Sequence, residues 1–364
     1  MNTQPTTKSN RIYSIDAVRA TALIMILFTH SVLGFWSNGT GAVTTMDHLF
    51  SWIRINLTSD VGFSIFCFLF GLSFFLQIDH AEQKGIDFRL RFCWRLLLLL
   101  GFAVLDRLCY RGDILALFAV MGILPVIFSK LKTRYVVFVA VLCLIQPLHL
   151  FSWCFHQPIL TGLHKPQIID PATSTWWEIA CWNVTHGFRY SAVVYATGGR
   201  YFAVAGYFLL GMLAGRYRLF EGGAAKVAKL ILPFCFLYIA ACVLEHYYPD
   251  CRSFRWWRCE TQMAFMVCAL TWLYEQKCIA SHLSALRALG RCTLTGYISQ
   301  NAIMCLLLYP WGFGLGSELS LSGRVGVGMV LLIVQIIFFT YWLKQHKYGP
   351  LEGVWRTLTR IGLH

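Results

Sequence analysis

Long apolar runs recur along this chain, and they constrain its fold more than any other feature of the sequence. Each run has roughly 16 to 21 residues, close to the length that an α-helix needs to cross the hydrocarbon core of a bilayer. Only 13% of the residues are charged, against about a quarter in a soluble domain, which excludes a soluble globular enzyme and a disordered protein. The runs predict ten membrane-spanning helices, at 17–35, 57–77, 94–110, 113–129, 135–153, 200–216, 227–245, 260–275, 293–311 and 324–343.

The distribution of Lys and Arg predicts how these helices are oriented. If both termini face the cytoplasm, the cytoplasmic segments hold about two thirds of the basic residues, as expected from the excess of Lys and Arg in cytoplasmic loops. One outer loop, with Arg252, Arg255 and Arg258, runs against this trend. It indicates either a functional basic surface or a misplaced boundary. We therefore predict an all-α, polytopic membrane protein with about ten transmembrane helices and both termini in the cytoplasm.

The chain is interpreted as one domain, because no linker, low-complexity stretch or internal repeat divides it. Residues 1–364 form a single integral-membrane domain in this interpretation. Its longest connection, 154–199, is predicted to be an extracytoplasmic loop rich in Trp, His and polar residues. Such residues are typical of a carbohydrate-facing surface and also of helix anchors at the membrane interface, and the sequence leaves both open.

The formal net charge of +14 does not by itself indicate nucleic-acid binding. Nucleic-acid modules gather their charge on a soluble face, and this sequence has no long soluble segment. The expected surroundings are a lipid bilayer, and no nucleic-acid partner is predicted. Spacings typical of metal ligands, such as HxxxH, HExxH or CxxC, do not occur in the sequence, so no metal is expected.

Two ionisable residues in the first predicted helix are the most informative. Arg19 and His30 are eleven residues apart, so on a helix they point within about 20° of each other and lie ~16 Å apart along the axis. Asp16, one turn before Arg19, can pair with it. Because an ionisable group in a membrane span is costly and typical of function, we predict that His30 is a general base or a nucleophile in a group transfer. The alternative is a neutral imidazole that only bonds a neighbouring helix.

A basic cluster lies between the second and third predicted helices, at Arg89, Arg91 and Arg95. Arg91 and Arg95 are four residues apart and share a helix face, and guanidinium groups match the geometry of phosphates. With Arg19, these two arginines predict a binding site for the phosphates of an acyl-CoA or a nucleotide. The alternative is ordinary anchoring of helix ends by basic residues.

Polar residues in two further helices complete the candidate site. Asp113 stands at a predicted helix start, where it either caps the helix or acts in catalysis by orienting His30 or an acceptor hydroxyl. Gln300 and Asn301 lie in the middle of a predicted span. Polar groups at that depth must be paired or face a cavity, and hydrogen bonding between helices is the simpler role for both.

Several segments, spread over most of the chain, resemble the YeiB family of bacterial multi-pass inner-membrane proteins. The segments are RIYSIDAVRATALIMILFTH, FLFGLSFFLQ, RLLLLLGFAVLDRLCYRGDILALFAVMGILPVIF, YFLLGMLAGRYRLF, and LGRCTLTGYISQNAI followed by KYGPLEGVWRTLT. The last two are specific. YeiB proteins are grouped with the heparan-α-glucosaminide N-acetyltransferases and the integral-membrane O-acyltransferases. The resemblance implies that fold, a bacterial inner-membrane location, a homodimer, and transfer of an acyl group from cytoplasmic acyl-CoA to a sugar on the far side.

Three positions depart from the YeiB pattern. His30 stands where that family usually has Asn, and the spacing from Arg19 to His30 is instead similar to the motif of the O-acyltransferases. Ala20 replaces a Gly. Leu105 replaces a His upstream of the Gly-Asp-Ile-Leu block, which argues against catalysis by that helix.

The sequence thus predicts a membrane acyltransferase that moves an acyl group, in the simplest case acetyl, to the hydroxyl or amine of an extracytoplasmic glycan or lipid-linked sugar. Arg19, Arg91 and Arg95 are expected to bind acetyl-CoA or another acyl-CoA, and His30 and Asp113 to act in catalysis. One alternative is a small-molecule transporter or exporter, which would move its substrate without releasing CoA. Another is a structural or sensory membrane protein, which would tolerate substitution of His30.

Overall fold

Helices form the regular structure of the protein, and the reason lies in the bilayer. A backbone in hydrocarbon must satisfy its own N–H and C=O groups, which a helix does within one segment. The computed structural model describes residues 13–33, 43–158, 160, 162–171, 173–221 and 224–361. Across these residues the protein is all-helical, as the sequence predicts. Residues 34–35 of the first predicted span and residues 11–12 of the first motif lie outside the described residues.

The N-terminal half contains three long helices and several short or broken ones. A π-helical turn, Arg54–Thr58, joins the second helix to the third. The predicted run 113–129 is divided into two helices at Gly122, and the predicted run 135–153 bends by 44° beside Gln146. The helices are α1 (Tyr13–Leu33), α2 (Thr45–Ile53), α3 (Val61–Glu82), α4 (Arg89–Arg107), α5 (Leu115–Met121), α6 (Ile123–Phe128), α7 (Thr133–Leu144) and α8 (Pro147–Phe155).

The C-terminal half begins inside the predicted loop 154–199, which contains two short helices. The first of them is stabilised by a capping box between Thr175 and Glu178. The helices are α9 (Trp176–Thr185), α10 (Gly187–Thr197), α11 (Arg200–Arg216), α12 (Ala224–Tyr247), α13 (Arg252–Glu275), α14 (Lys277–Ala280), α15 (Ser284–Arg291), α16 (Thr293–Leu308), α17 (Leu315–Glu318), α18 (Leu321–Gln345) and α19 (Pro350–Ile361).

Among the described residues, four helical stretches are long and apolar enough to cross a membrane, compared with the ten predicted runs. The bent pair α7–α8 is a fifth candidate if it is counted as one span. Helices α11 and α16 have only 17 and 16 residues, and α4 and α13 carry several charged residues. The apolar helices therefore indicate a membrane protein. The four stretches are Tyr13–Leu33, Thr45–Glu82, Ala224–Tyr247 and Leu321–Gln345.

Helix α1 is the centre of the packing, because it contacts α3, α13, α15, α16 and α18. Glycines allow the closest of the helix contacts. A Cβ at Gly290 of α15 would lie 1.7 Å from the carbonyl oxygen of Asp16 in α1. Between α3 and α11 the close approach is mutual, since Gly71 meets the backbone of Phe208 and Gly211 meets the backbone of Phe68. Small residues at such contacts let membrane helices pack backbone against backbone.

Candidate functional site

The long helix α1 borders two cavities. Arg19, in its second turn, lines a cavity of about 580 Å³ that we call the Arg19 cavity. His30, in its last turn, lines a second cavity of about 560 Å³, the His30 cavity. Ile26 and Ile114 line both cavities. The two cavities are therefore neighbours, and α1 presents one ionisable residue to each.

The Arg19 cavity has an excess of positive charge. Arg19 donates to the carboxylate of Asp16 at 3.0 Å and to the hydroxyl of Ser73 at 2.5 Å. Arg95 lies over the ring of Trp355, with its guanidinium carbon 4.5 Å from the ring centroid. Guanidinium groups in such a setting suit phosphate oxygens. The charged residues that line this cavity are Arg19, Arg95, Arg291, Lys347 and Arg356 with the acids Asp16 and Glu352.

The end of α15 is held against α1, and this places a further cation at the cavity. Because Gly290 lacks a Cβ, its backbone can touch the carbonyl group of Asp16. The next residue, Arg291, donates to the carbonyl oxygen of Lys347 at 2.8 Å. This hydrogen bond ties α15 to the connection between α18 and α19.

Helix α19 is docked at the cavity by Glu352. This carboxylate accepts from the backbone N–H groups of Leu294 and Thr295, at 2.7 and 3.1 Å, and from the Thr295 hydroxyl at 2.6 Å. Burial raises the pKa of Glu352 above its ordinary value, while the hydrogen bonds act in the opposite direction. The docked helix brings Trp355 and Arg356 to the cavity wall.

The structure separates the arginines that the sequence predicts as phosphate ligands. Arg19 and Arg95 line the same cavity, whereas Arg91 is not among its lining residues. Arg91 and Arg95 are four residues apart, so their side chains are offset by about 40° around the helix and by one turn along its axis. This offset allows Arg95 to line the cavity while Arg91 does not. The neighbouring Arg89 is engaged by Glu82 at 2.6 Å and Asp87 at 3.0 Å.

His30 lies between aromatic rings at the edge of its cavity. The ring centroids of Tyr110 and Tyr297 are 5.1 and 6.4 Å from that of the imidazole. The side chain of Asn301 is a hydrogen-bond partner of His30. These neighbours orient the imidazole while it remains partly exposed to the cavity.

A buried polar network continues from Asn301 away from the cavity. The Asn301 amide donates to both carboxylate oxygens of Asp106, at 2.9 and 3.2 Å. Asp106 is hydrogen-bonded to Asp113. Arg107 Nε lies 3.6 Å from Asp113 Oδ2, and Arg107 Nη2 donates to the Ser191 hydroxyl at 3.1 Å. The network joins α1, α4 and α16, and buried hydrogen bonds of this kind are electrostatically stronger than hydrogen bonds in water. The predicted hydrogen bonding between helices is confirmed for Asn301 by these contacts.

The same prediction is confirmed for Gln300, whose amide donates to Gln335 of α18 at 2.8 Å. This hydrogen bond joins α16 to α18, and Gln300 directly precedes Asn301, where the buried polar network begins. Both polar residues in the middle of α16 thus contact neighbouring helices.

Asp113 is a buried cap. Its carboxylate accepts from the backbone N–H groups of Leu115 and Ala116, at 2.8 and 3.1 Å, at the start of α5. Its side chain is fully buried, and Asp113 lines neither cavity. Its connection to His30 runs through Asp106 and Asn301. Asp113 is thus placed to position other groups rather than to touch a substrate.

Three cations of the Arg19 cavity were not identified as site residues by sequence reasoning. Arg291 lies in LGRCTLTGYISQNAI, and Lys347 and Arg356 lie in KYGPLEGVWRTLT. These are the two segments that most specifically resemble YeiB proteins, and the fold brings them together at one cavity. These motifs are therefore the sequence signal that could identify the three cations as site residues, although the pattern of basic residues alone indicates only anchoring of helix ends.

The fold and the cavities define the class of protein, a membrane protein that is all-helical over the described residues and has two adjacent cavities with charged residues in their linings along one central helix. Residues 214–362 match a family model described as a protein of unknown function, DUF418. The matched region begins within α11, and it contains the C-terminal residues of the Arg19 cavity. Helix α1 with Arg19 and His30 precedes it.

Two bacterial relatives are similar over nearly the whole chain. One is an uncharacterised 39.9 kDa protein in the amylase 3′ region of Bacillus acidopullulyticus, 25% identical over 380 residues that cover 98% of this chain and 95% of the relative. The other is the uncharacterised protein YxaH of Bacillus subtilis strain 168, 26% identical over 395 residues that cover 98% of this chain and 96% of the relative. The similarity thus extends over the helices that build both cavities.

Proposed function

We propose that this protein is a membrane acyltransferase of the superfamily that the YeiB resemblance implies. It would move an acyl group, in the simplest case acetyl, from acyl-CoA to a hydroxyl or amine of a sugar or glycan across the membrane. The observation that carries the proposal is the pair of neighbouring cavities. One is basic, the other contains His30, and both are lined by Ile26 and Ile114.

The proposed topology has ten membrane segments in a bacterial inner membrane, with both termini in the cytoplasm. The short helices α11 and α16 and the broken segments α5–α6 and α7–α8 would then be spans shielded by their neighbours. Non-helical backbone is tolerated at membrane depth where protein or a water-filled cavity surrounds it. In this orientation the Arg19 cavity opens to the cytoplasm, where acyl-CoA is available, and the excess of Lys and Arg lies on the expected side.

The donor would bind with its phosphates among Arg19, Arg95, Arg291 and Arg356, and with its acyl-carrying arm directed along α1. Residues Arg19 and His30 are ~16 Å apart along a helix axis, so only an extended arm reaches both. Ile26 and Ile114, which line both cavities, lie where the arm would pass from one cavity to the other. Acyl-CoA has this shape, because its phosphates lie at one end and its thioester at the end of a long, extended arm.

His30 would then take the proton of the acceptor hydroxyl. The acceptor oxygen bonds to the thioester carbonyl carbon, the carbon–sulfur bond breaks, and the CoA thiolate recovers the proton from the imidazolium. In the second form of the proposal, the imidazole itself carries the acyl group between thioester and acceptor. In both forms Asn301 holds the imidazole and is itself held by Asp106, and Asp113 acts as a positioning residue at the end of the network.

The test is release of CoA from acetyl-CoA by purified full-length protein in lipid vesicles, for wild type and His30→Ala. Thr29→Val is the matched control, because Thr29 also lines the His30 cavity and its hydroxyl donates to Thr58 at 2.9 Å. We expect release by wild type and Thr29→Val, and a loss of about 10² to 10⁴-fold in His30→Ala, the range typical of a general base.

Equal release by His30→Ala would remove the catalytic role of His30. Movement of a sugar across the vesicle membrane without any release of CoA would instead favour the transporter alternative. Direct binding of acetyl-CoA to the protein distinguishes a missing acceptor from a missing donor site, because donor binding does not depend on turnover.

A further inference from the structure

The His30 cavity contains a second set of basic residues that the acyl-transfer mechanism does not use. Four arginines line it together with one carboxylate. Two of the arginines come from the start of α13, the segment whose charge opposes the predicted orientation of the chain. The charged lining residues are Arg111, Arg200, Arg252, Arg255 and Asp60.

A single carboxylate lies between two of these guanidinium groups. Arg200 Nη2 is 2.5 Å from Asp60 Oδ1, and Arg255 Nη2 is 3.6 Å from Asp60 Oδ2. The Arg200 guanidinium also lies 4.8 Å from the ring centroid of Phe63. Asp60 therefore fixes Arg200 in place and compensates only part of the local positive charge.

The remaining two arginines are held by weaker contacts. Arg252 donates to the carbonyl oxygen of Thr197 at 3.4 Å, and the Arg111 guanidinium lies 5.5 Å from the ring centroid of Tyr190. Neither contact supplies a full negative charge. Like charges gathered in a cavity repel each other more strongly than in bulk water, so an anion that enters the cavity would relieve this repulsion.

We propose that the His30 cavity binds a phosphate group, and that the sugar acceptor is therefore a phosphosugar. The role of the phosphosugar as acceptor rests on the proposed function, whereas the binding of phosphate in this cavity does not. A phosphate carries more charge than a carboxylate, and its several oxygens can accept from more than one guanidinium fork at once. Placed among Arg200, Arg252 and Arg255, the phosphate would anchor the sugar so that a hydroxyl reaches His30.

Two sources of phosphosugar share this chemistry, and the experiment separates them. The probes are N-acetylglucosamine 1-phosphate, uncharged N-acetylglucosamine, and N-acetylglucosamine linked to a polyprenyl phosphate. Their binding to full-length protein in phosphatidylcholine nanodiscs is measured calorimetrically without acyl-CoA. We expect the soluble phosphosugar to bind at least tenfold more tightly than the uncharged sugar, and its binding to weaken as salt is added, because salt screens exposed charges.

The variant for this test is Arg252→Gln with Arg255→Gln. Both side chains are exposed, so the fold should survive, and an unchanged melting curve verifies this. We expect affinity for the phosphosugars to fall about tenfold or more, as for loss of charged hydrogen bonds. Arg189→Gln is the matched control, since Arg189 is exposed but does not line the cavity, and it should bind like wild type.

Tighter binding of the polyprenyl-linked probe than of the soluble probe, with the same loss in the arginine variant, would identify a lipid-linked phosphosugar. The reverse order would identify a soluble one. Equal affinity for charged and uncharged sugar, or wild-type binding by the double variant, would overturn the inference even if CoA release is observed. Phosphate-dependent binding without CoA release in any assay would leave this inference standing and remove the proposed function.

Discussion

The two cavities along α1 are similar in size but differ in how their walls are built. The Arg19 cavity combines Arg19 and Arg95, from the second turns of α1 and α4, with Arg291, Lys347 and residues of α19 from helix ends, connections and the C-terminal helix. His30 instead has a buried network behind it, whose members Asp106, Arg107 and Asn301 are each at most 3% exposed. Under the proposed function, the Arg19 cavity would bind the donor, and the buried network would orient the reacting imidazole.

The strongest test of this comparison is the buried network. Arg107→Met removes the cation that faces Asp113 and leaves a buried carboxylate uncompensated. Breaking a buried pair in this way costs about 3–5 kcal/mol, so we expect a loss of that size in the free energy of unfolding, measured by denaturant titration in detergent. Arg111→Met is the control, because Arg111 is partly exposed at the cavity and should lose under ~1 kcal/mol. Equal losses in both variants would show that the network does not stabilise the His30 side.

The next test obstructs the region where the two cavities meet. In Ile26→Trp a larger side chain replaces an isoleucine that lines both cavities. We expect release of CoA from acetyl-CoA to fall more than tenfold, since the acyl group could no longer reach His30, while overpacking costs only about 1–3 kcal/mol in stability. Ile24→Trp, on the same helix but outside both cavities, is the control. Undiminished release in Ile26→Trp would contradict a reaction path between the cavities.

A smaller effect is expected for donor binding at the Arg19 cavity. Arg95→Gln removes a guanidinium that would contact phosphate, and its affinity for acetyl-CoA should fall about tenfold, the loss typical of one charged hydrogen bond. Binding at the His30 cavity should be unchanged. Equilibrium binding of radiolabelled acetyl-CoA measures the first statement, and calorimetric titration with N-acetylglucosamine 1-phosphate measures the second. Wild-type affinity in Arg95→Gln and in Arg19→Gln would place the donor elsewhere.

The smallest effect is expected at Arg91, and it tests the structure against the sequence. Arg91 does not line the Arg19 cavity, so Arg91→Gln should change the affinity for acetyl-CoA by less than about twofold, as for a surface substitution. The sequence pattern alone predicts the same loss for Arg91 as for Arg95. A tenfold loss in Arg91→Gln would mean that the cavity closes around the donor differently.

Parts of the candidate site follow from sequence, because they depend on local chemistry. The pair Arg19 and His30 stands out, since ionisable residues in an apolar run are costly and since helix geometry fixes their separation. The capping role of Asp113 was one of two open possibilities, and the structure shows that the cap is made. The basic segment at Arg252 and Arg255 was conspicuous because it opposes the positive-inside trend.

Other parts could not be predicted, because they depend on contacts between distant segments. Asp106 meets Asn301 across 195 positions of the chain. No local pattern encodes which cations share a cavity, so Arg291 and Arg356 looked like anchors. The helix breaks at Gly122 and Gln146 do not change the mean hydropathy of an apolar run, although Gly122 and Pro147 are local signals of a helix boundary.

By itself, the sequence determined that the protein is helical and belongs in a membrane, and it singled out α1 as the helix with the chemistry. These properties depend on hydropathy and on the period of a single helix. Only the tertiary structure decided that Arg19 and His30 face two neighbouring cavities, that Arg91 lies outside them, and that Asp113 is buried. The physical reason is that a cavity is a space between helices, whose crossings are set by close contacts such as that of Gly290 with Asp16.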